Sequence, residues 1–180
     1  LLNHALREVL GNHINQAGSV VSPDRLRFDF THNQAVTAEQ IAEVEKRVNQ
    51  RILADETVTA TLMPLAKAKK IPGVRAMFGE KYPDPVRVIS IGSKDNSPAN
   101  SIEFCGGSHL SHTSQAGLFK IVSEESVAKG VRRITAITGP EAVKQVQEND
   151  RILHEIALAM RVPAAELPER IVVMQKEIKQ

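Results

Sequence analysis

The chain contains 180 residues with a formal net charge of +2, and 42% of its residues are hydrophobic but only 3% are aromatic. This length allows one compact core and a short appended segment. A nearly neutral charge does not by itself indicate a nucleic-acid partner, and with so few aromatic residues an RNA-binding surface would depend on charge and backbone contacts instead of base stacking.

Cysteine usage and hydropathy restrict the cellular context. The one cysteine cannot form an internal disulfide, which is typical of a reducing compartment. No apolar run approaches the about 20 residues of a membrane span, and no secretory signal is visible. The sequence therefore predicts a cytoplasmic protein that does not enter a membrane.

The amino terminus follows helical spacing until Gly11 and Asn12. Its apolar residues are Leu1, Leu2, Ala5, Leu6, Val9 and Leu10. No capping residue and no initiator methionine precede them, so we expect a fragment of a longer protein that begins inside a helix.

The central part of the chain alternates strand and helix patterns. Residues 25–30 alternate apolar and charged side chains, the period of a half-buried strand. Thr37 and Gln40 form a capping-box signature for a helix with one apolar face. Further strands are predicted at residues 57–62, 85–92, 101–105, 118–123 and 131–138, with a short helix after Pro64, another between the last two strands, and a polar loop at residues 92–100.

This mixture predicts an α+β fold, in which a largely antiparallel sheet with packed helices over residues 1–139 precedes a helical segment over residues 140–180. A coiled-coil seam stepping by four, three and four residues is formed by Leu167, Ile171, Met174 and Ile178. Its partner is either the helix at residues 140–161, folded back as a hairpin, or another copy of the chain. Because so short a coiled coil is marginal alone in water, we favour the hairpin.

The turn from Cys105 to His109 reads Cys-Gly-Gly-Ser-His and contains the single cysteine. The thiolate and the imidazole can converge on one metal ion, and the two glycines can supply backbone angles that other residues resist. Sulfur and nitrogen ligands suit zinc better than calcium or magnesium. Two ligands are fewer than the usual three or four, so a tight turn with a half-buried thiol is the alternative.

The other histidines are not expected to form a second site. Strand alternation would turn His112 away from a site shared with His109. His13, His32 and His154 have no partners that the sequence reveals, and we expect them at the surface.

Basic residues form two clusters in this nearly neutral chain. They are Lys67, Lys69, Lys70 and Arg75 in the first cluster, and Lys129, Arg132 and Arg133 in the second. Such clusters are either solvated faces or contacts to phosphate groups.

Several motifs occur in a fixed order along the chain. They are Gly18-Ser19, the run at residues 25–30, Phe78-Gly79-Glu80-Lys81-Tyr82, the turn from Cys105 to His109, Gly117-Leu118-Phe119, and Gly130-Val131-Arg132-Arg133. Over about residues 1–140 this series resembles the editing domain of alanyl-tRNA synthetases. Related domains occur in free-standing editing proteins and in threonyl-tRNA synthetases, but the run at residues 25–30 and the Cys-Gly-Gly turn fit the alanyl branch better.

The resemblance implies an esterase that hydrolyses serine or glycine wrongly attached to alanine tRNA, within a longer ligase that joins alanine to tRNA(Ala) and binds ATP in a separate catalytic domain. It also implies a zinc ion held by Cys105, His109 and two histidines upstream of Leu1, so this fragment should bind zinc weakly. His4, one turn further on, would be a makeshift ligand, although an ordinary half-buried histidine is the simpler expectation.

The resemblance also implies where the substrate binds. The substrate-binding residues would be Gln16, Ser19, Gly106 and Gly107, and the two glycines would let backbone amides approach the terminal adenosine. The residues contacting the acceptor end of tRNA(Ala) would be Lys129, Arg132 and Arg133. A homodimer would form through the C-terminal helical region of the full protein.

A need for editing follows from the chemistry of alanine. A synthetic pocket for alanine cannot exclude the smaller glycine by size, and it rejects an added hydroxyl by only ~10²-fold. A second site that hydrogen-bonds the serine hydroxyl spares alanine, which would leave its polar groups unpaired. Zinc would either activate water or, as we favour, orient the ester.

Three alternatives belong to other classes. The first is a threonyl-type editing domain, and the second is a non-catalytic RNA-binding or dimerisation module. The third is a thiol enzyme in which Cys105 is the nucleophile and His109 is the base.

Overall fold

The computed structural model describes residues 1–76, 81–92 and 101–178. They form two compact units, Leu1–Gly139 and Pro140–Gln180. Most of the predicted polar loop and the motif residues Phe78, Gly79 and Glu80 lie outside the described residues. None of the helices in the described ranges is both long enough and apolar enough to span a membrane.

The first unit contains seven strands and three helices among its described residues. The strands are β1 (Gln16–Val21), β2 (Leu26–Thr31), β3 (Val58–Met63), β4 (Val86–Ile91), β5 (Ser101–Phe104), β6 (Phe119–Ala128) and β7 (Val131–Thr138). The helices are α1 (Leu2–Leu10), α2 (Ala38–Leu53) and α3 (Leu65–Ala68), and a 3-10 turn covers Thr113–Ala116.

The strands form two antiparallel sheets instead of the one that the sequence predicts. The first sheet has the order β1-β2-β7-β6, and the second has the order β3-β4-β5. The α+β class and the antiparallel pairing are therefore confirmed. The division into two sheets creates two separate apolar cores.

The larger core lies between the first sheet and helices α1 and α2. Alternation on β2 buries Phe28 and Phe30, which are 7% and 0% exposed, against side chains of both helices. Helix α2 begins at the predicted capping box, in which Gln40 N–H donates to Thr37 Oγ1 at 3.2 Å and Thr37 N–H donates to Gln40 Oε1 at 2.9 Å. Its buried face repeats every four residues and consists of Val44, Val48 and Ile52.

The smaller core lies under the second sheet and fixes the strand that leads to the Cys-Gly-Gly turn. It is formed by Ala68, Val86, Val88 and Phe104, and the Tyr82 ring packs edge-on against Phe104 with centroids 5.1 Å apart. Since Phe104 ends β5, its burial anchors the chain directly before Cys105.

The structure corrects two predictions in the first sheet. Strand β6 extends to Ala128 and pairs with β7, so the short helix expected between these strands is wrong; Gly130, at φ +74°, makes the tight turn instead. Strand β1 was not expected, because it is an edge strand with few buried side chains and lacks a clear apolar alternation.

The second unit consists of helices. Helix α4 (Gly139–Met160) and helix α5 (Leu167–Glu177) occur where the pattern predicts helices, and a 3-10 turn at Ala164–Glu166 precedes α5. On the predicted seam, Leu167 is 5% exposed whereas Ile178 is 80% exposed. The hairpin and the coiled coil, and the assignment of this segment as a linker, stay predictions.

Candidate active site

A cavity of about 1010 Å³ opens within the first unit. Its wall on the first sheet includes Gln16 and Ser19 of β1, and its wall on the second sheet includes Cys105 and Gly106, which follow β5. The structure thus brings four of the predicted site residues to one cavity. Such a volume is at the upper end of the about 300–1,000 Å³ typical of small-molecule sites.

Gln16 and Ser19 share this wall because β1 contains a bulge. Residues separated by three positions on a regular strand point to opposite faces. In β1 the register shifts between Gln16 and Gly18, so an extra residue intervenes and both side chains reach the cavity. Gln16 Nε2 donates a hydrogen bond to Ser19 Oγ at 3.2 Å.

The Cys-Gly-Gly turn is attached to β4 by Arg87, a residue that the sequence reasoning missed. Arg87 Nη1 donates to the carbonyl oxygen of Cys105 at 3.1 Å and to that of Gly107. In return, Cys105 N–H donates to the Arg87 carbonyl at 3.2 Å. The only signal in the sequence is its place between Val86 and Val88, whose burial turns Arg87 to the opposite face.

The glycines of this turn do not have the backbone angles expected of them. Neither Gly106 nor Gly107 has a φ in the left-handed region, so the prediction that they supply special angles is wrong. A Cβ built at Gly106 would meet no atom of the described residues within 4 Å, and one built at Gly107 would lie 3.7 Å from Cys105 Sγ. The turn itself would thus accept a side chain at position 106. Because glycine has no side chain, it leaves space free at this point of the cavity wall.

His109 follows the turn but is not among the described residues that line the cavity. Its Nδ1 lies 2.9 Å from the Gly107 carbonyl oxygen. A proton on Nδ1 would donate to that oxygen, and Nε2 would keep the lone pair that binds metals. Gly107 is likewise outside the lining.

The described residues do not by themselves complete a zinc site. No three side chains among His, Cys, Asp and Glu in the described ranges are grouped so that they could hold a metal ion. Cys105 and His109 supply two ligands of suitable chemistry, whereas zinc takes three or four protein ligands.

His4 is held in a polar network that includes Arg75, a residue of the cavity wall. Its Nδ1 and Nε2 each lie 2.9 Å from a guanidinium nitrogen, of Arg75 and Arg51 respectively, and Nε2 lies 3.2 Å from Glu8 Oε1. Burial lowers the pKa of His4, and the two arginines lower it further against the effect of Glu8. A neutral half-buried histidine in this network agrees with the simpler expectation for His4.

Arg75 and Glu103 form a charged pair in the cavity wall, and the sequence did not predict their contact. Arg75 Nη1 donates to Glu103 Oε1 at 3.3 Å, and Asn3 Nδ2 donates weakly to the same oxygen at 3.4 Å. Arg75 was assigned to a basic cluster, and its separation of 28 residues from Glu103 hides their contact in the sequence.

The other histidines differ in part from expectation. His13 Nε2 and His32 Nδ1 are 2.9 Å apart and their rings stack, a pairing that the sequence does not reveal; His13 is exposed, as expected, whereas His32 is half-buried. His154 is exposed, as expected. His112 Nδ1 lies 3.4 Å from Asp55 Oδ1 and, like His109, is not part of the cavity lining.

The residues predicted to contact tRNA are not among the described residues that line the cavity. Arg132 makes a two-pronged contact with Glu124, at 2.5 and 2.6 Å, and Arg133 makes one with Asp29, at 2.7 Å for both bonds. These hydrogen bonds raise the pKa of each arginine. Lys129 is exposed in the turn between β6 and β7, and no ion pair joins it to a described residue.

The amino-acid sequence of the chain is similar to sequences of known proteins. Residues 86–135 match the family described as "Threonyl and Alanyl tRNA synthetase second additional domain". The chain is 51% identical over 179 residues to the alanine–tRNA ligase of Acetivibrio thermocellus, covering 99% of this chain and 20% of that protein. The same values hold for the alanine–tRNA ligase of Bordetella avium.

An animal relative is also similar. The cytoplasmic alanine–tRNA ligase of Bombyx mori is 49% identical over 166 residues, covering 87% of this chain and 17% of the relative. The chain thus spans about a fifth of the length of the curated relatives that it matches.

Proposed function

We propose that this chain, whose resemblance to alanine–tRNA ligases is confirmed over nearly its whole length, is the editing segment of such a ligase. It would hydrolyse serine or glycine wrongly esterified to alanine tRNA. The observation that carries the proposal is the cavity that Gln16, Ser19, Cys105 and Gly106 line together.

The reaction needs only water as a co-reactant. Water adds to the ester carbonyl carbon, and the tetrahedral intermediate collapses as the bond to the ribose oxygen breaks. That oxygen takes up the proton released by the attacking water. The products are the free amino acid and a tRNA with a free terminal hydroxyl.

Selectivity for serine over alanine would come from the polar wall on β1. The Gln16 amide and the Ser19 hydroxyl lie 3.2 Å apart and line the cavity, so a serine hydroxyl could join their hydrogen bonding. Alanine would leave these groups without that partner, and an unmade hydrogen bond in a site built for one costs affinity. Glycine also lacks the hydroxyl, so this wall would favour serine over both of the smaller amino acids.

Zinc belongs to the proposal only as an ion that this chain would help to bind. Cys105 Sγ and His109 Nε2 would be its ligands from this chain, and the resemblance implies two further histidines for the rest. When bound, zinc would orient the aminoacyl ester.

The longer protein would carry out the synthetic reaction. It would attach alanine to tRNA(Ala) with ATP bound outside this chain, act in the cytoplasm, and dimerise through its C-terminal helical region. Lys129 would contact the tRNA backbone, with Arg132 and Arg133 beside it.

A deacylation assay tests the proposal. The full-length protein and its Gln16→Ala variant are given Ser-tRNA(Ala), Gly-tRNA(Ala), Ala-tRNA(Ala) and Ser-tRNA(Thr). We expect the first two to be hydrolysed, Ala-tRNA(Ala) to be spared, and Gln16→Ala to slow the serine reaction. Preference for Ser-tRNA(Thr) would indicate a threonyl-type domain, and no hydrolysis at all would indicate a binding module.

A further inference from the structure

Arg87 connects β4 to the Cys-Gly-Gly turn through three hydrogen bonds. Its Nη1 donates to the Cys105 and Gly107 carbonyls, and its own carbonyl accepts from Cys105 N–H. Val86 and Val88 on either side are each 2% exposed, so the strand beneath Arg87 is firmly packed. The Arg87 guanidinium therefore fixes the position of the turn relative to a well-packed strand.

Peptide geometry determines how the hydrogen bonds from Arg87 orient the next N–H group in the turn. In a trans peptide the carbonyl oxygen and the following N–H point in opposite directions. Because the Cys105 carbonyl points to Arg87, the N–H of Gly106 points away from Arg87. Gly106 lines the cavity and Arg87 does not, and no described residue accepts a hydrogen bond from Gly106 N–H.

We propose that Arg87 is a positioning residue that holds the turn so that the Gly106 N–H donates to the carbonyl oxygen of the bound ester. The inference rests on the proposed editing function. As water adds, negative charge develops on that oxygen, and a fixed donor stabilises this charge more than the neutral carbonyl. Arg87 does not touch the substrate.

Arginine suits this role for two reasons. One Nη atom carries two hydrogens in a fixed plane, so a single nitrogen can hold two carbonyls in a defined geometry. A charged donor on the Cys105 carbonyl also polarises the peptide, which makes the Gly106 N–H a stronger donor. Lysine keeps the charge but not the planar geometry.

The open space at Gly106 agrees with this role. A Cβ at this position would meet no described atom within 4 Å, so a substrate oxygen can approach the backbone there without displacing a side chain.

Deacylation kinetics of the full-length protein and of its variants Arg87→Met and Arg87→Lys provide the first test. The control is Arg25→Met, which changes an exposed arginine in the turn between β1 and β2. For Ser-tRNA(Ala), Arg87→Met should lower kcat at least about tenfold with KM changed less than about threefold, because the lost donor acts in the transition state. Arg87→Lys should recover part of kcat, and Arg25→Met should resemble the wild type. A wild-type kcat in Arg87→Met overturns the proposal.

Alkylation of Cys105 gives a second test that does not depend on editing. Iodoacetamide labelling of the Cys105 peptide is followed by mass spectrometry in chelator-treated protein, alongside thermal unfolding. Release of the turn in Arg87→Met should change the labelling rate while the unfolding midpoint stays close to that of the wild type. An unchanged rate overturns the proposal even if the wild type proves to lack deacylation. Equal loss of folding in Arg87→Met and Arg87→Lys also overturns it, since Arg87 would then only stabilise the sheet.

Discussion

Asp29 and Arg133 lie directly opposite each other on β2 and β7, and the Arg133 Nε and Nη2 atoms each donate to a different Asp29 oxygen at 2.7 Å. Two parallel hydrogen bonds of this kind fix both side chains in one plane. An arginine that the family resemblance assigns to tRNA contact is thus already bound to a carboxylate. Arg132 of β7 makes the same two-pronged contact with Glu124 of β6, although its direct register partner is Ser126.

The Asp29–Arg133 pair should make stability depend on pH. Hydrogen bonding from Arg133 lowers the pKa of Asp29, so the pair stabilises the fold above the unfolded pKa of about 3.9 and this contribution is lost as the pH falls through the folded value. Asp29→Asn should cost roughly 1 kcal/mol at pH 7, and its difference from the wild type should shrink below about pH 4. Urea unfolding between pH 7 and values below about pH 4 measures the free energy of unfolding of both proteins, with Glu141→Gln, at an exposed position, as control. Equal stability of Asp29→Asn and wild type at pH 7 would contradict the prediction.

Lys129 should contribute more to tRNA binding than its neighbours. Because it is exposed and makes no ion pair with a described residue, Lys129→Met should weaken tRNA binding and reduce the slope of log K against log salt by about one. Arg132→Met should instead lower stability, since it leaves the Glu124 carboxylate, which is 6% exposed, without its partner. Filter binding of tRNA at several salt concentrations gives this slope for both variants. A slope that changes only in Arg132→Met would show that Arg132, and not Lys129, contacts the tRNA backbone.

Gly106→Ala should separate activity from folding. The new Cβ meets no described atom within 4 Å and φ is not left-handed, so the free energy of unfolding should change by less than about 0.5 kcal/mol. Deacylation of Ser-tRNA(Ala) should fall at least about tenfold, because the methyl group occupies the place of closest substrate approach.

Gly117→Ala is the matched contrast. There φ is +65° and the Cβ would lie 2.9 Å from Gly139 Cα, so this variant should be destabilised by about 1–3 kcal/mol. Full deacylation by a well-folded Gly106→Ala would show that the substrate does not approach this part of the turn.

Gln16→Ala should impair recognition of serine without unfolding the first unit. Loss of one hydrogen bond to the serine hydroxyl should lower kcat/KM for Ser-tRNA(Ala) by about fivefold, with a smaller effect on Gly-tRNA(Ala), which has no hydroxyl. Gln34→Ala, an exposed glutamine between β2 and α2, serves as control. An equal loss for both substrates would mean that Gln16 shapes the cavity without reading the hydroxyl.

Metal content tests the two proposed ligands. In the full-length protein, Cys105→Ser and His109→Ala should each lower zinc affinity by at least about tenfold, whereas His154→Ala on α4 should not. Competition with a chromogenic chelator gives the affinities, and unchanged zinc binding in both variants would remove these residues from the metal site.

The sequence predicts well those elements whose signals are local. Helix α2 follows from the Thr37–Gln40 capping box, and β2 follows from its apolar alternation, because both depend on neighbouring residues. The presence of Cys105, Gly106, Gln16 and Ser19 at one cavity was expected only through family resemblance, since no spacing rule joins positions almost 90 residues apart.

Features that depend on tertiary pairing were missed. The bulge in β1 arises from its pairing with β2, the His13–His32 contact joins a loop to a strand end, and Arg87 meets the turn only after β4 pairs with β5. The glycines at positions 106 and 107 misled for a different reason. Glycine marks both strained backbone and close approach, and the residue type alone does not distinguish them.

Separate cores beneath the two sheets have a consequence for redesign of the cavity. Gln16 and Ser19 lie on β1, which pairs with the strand that carries Phe28 and Phe30 of the larger core, whereas Cys105 and Gly106 follow Phe104 of the smaller core. Side chains on β1 can therefore be exchanged to admit a different amino acid without repacking the layer beneath the opposite wall. A library confined to β1 should yield altered selectivity at nearly constant thermal stability.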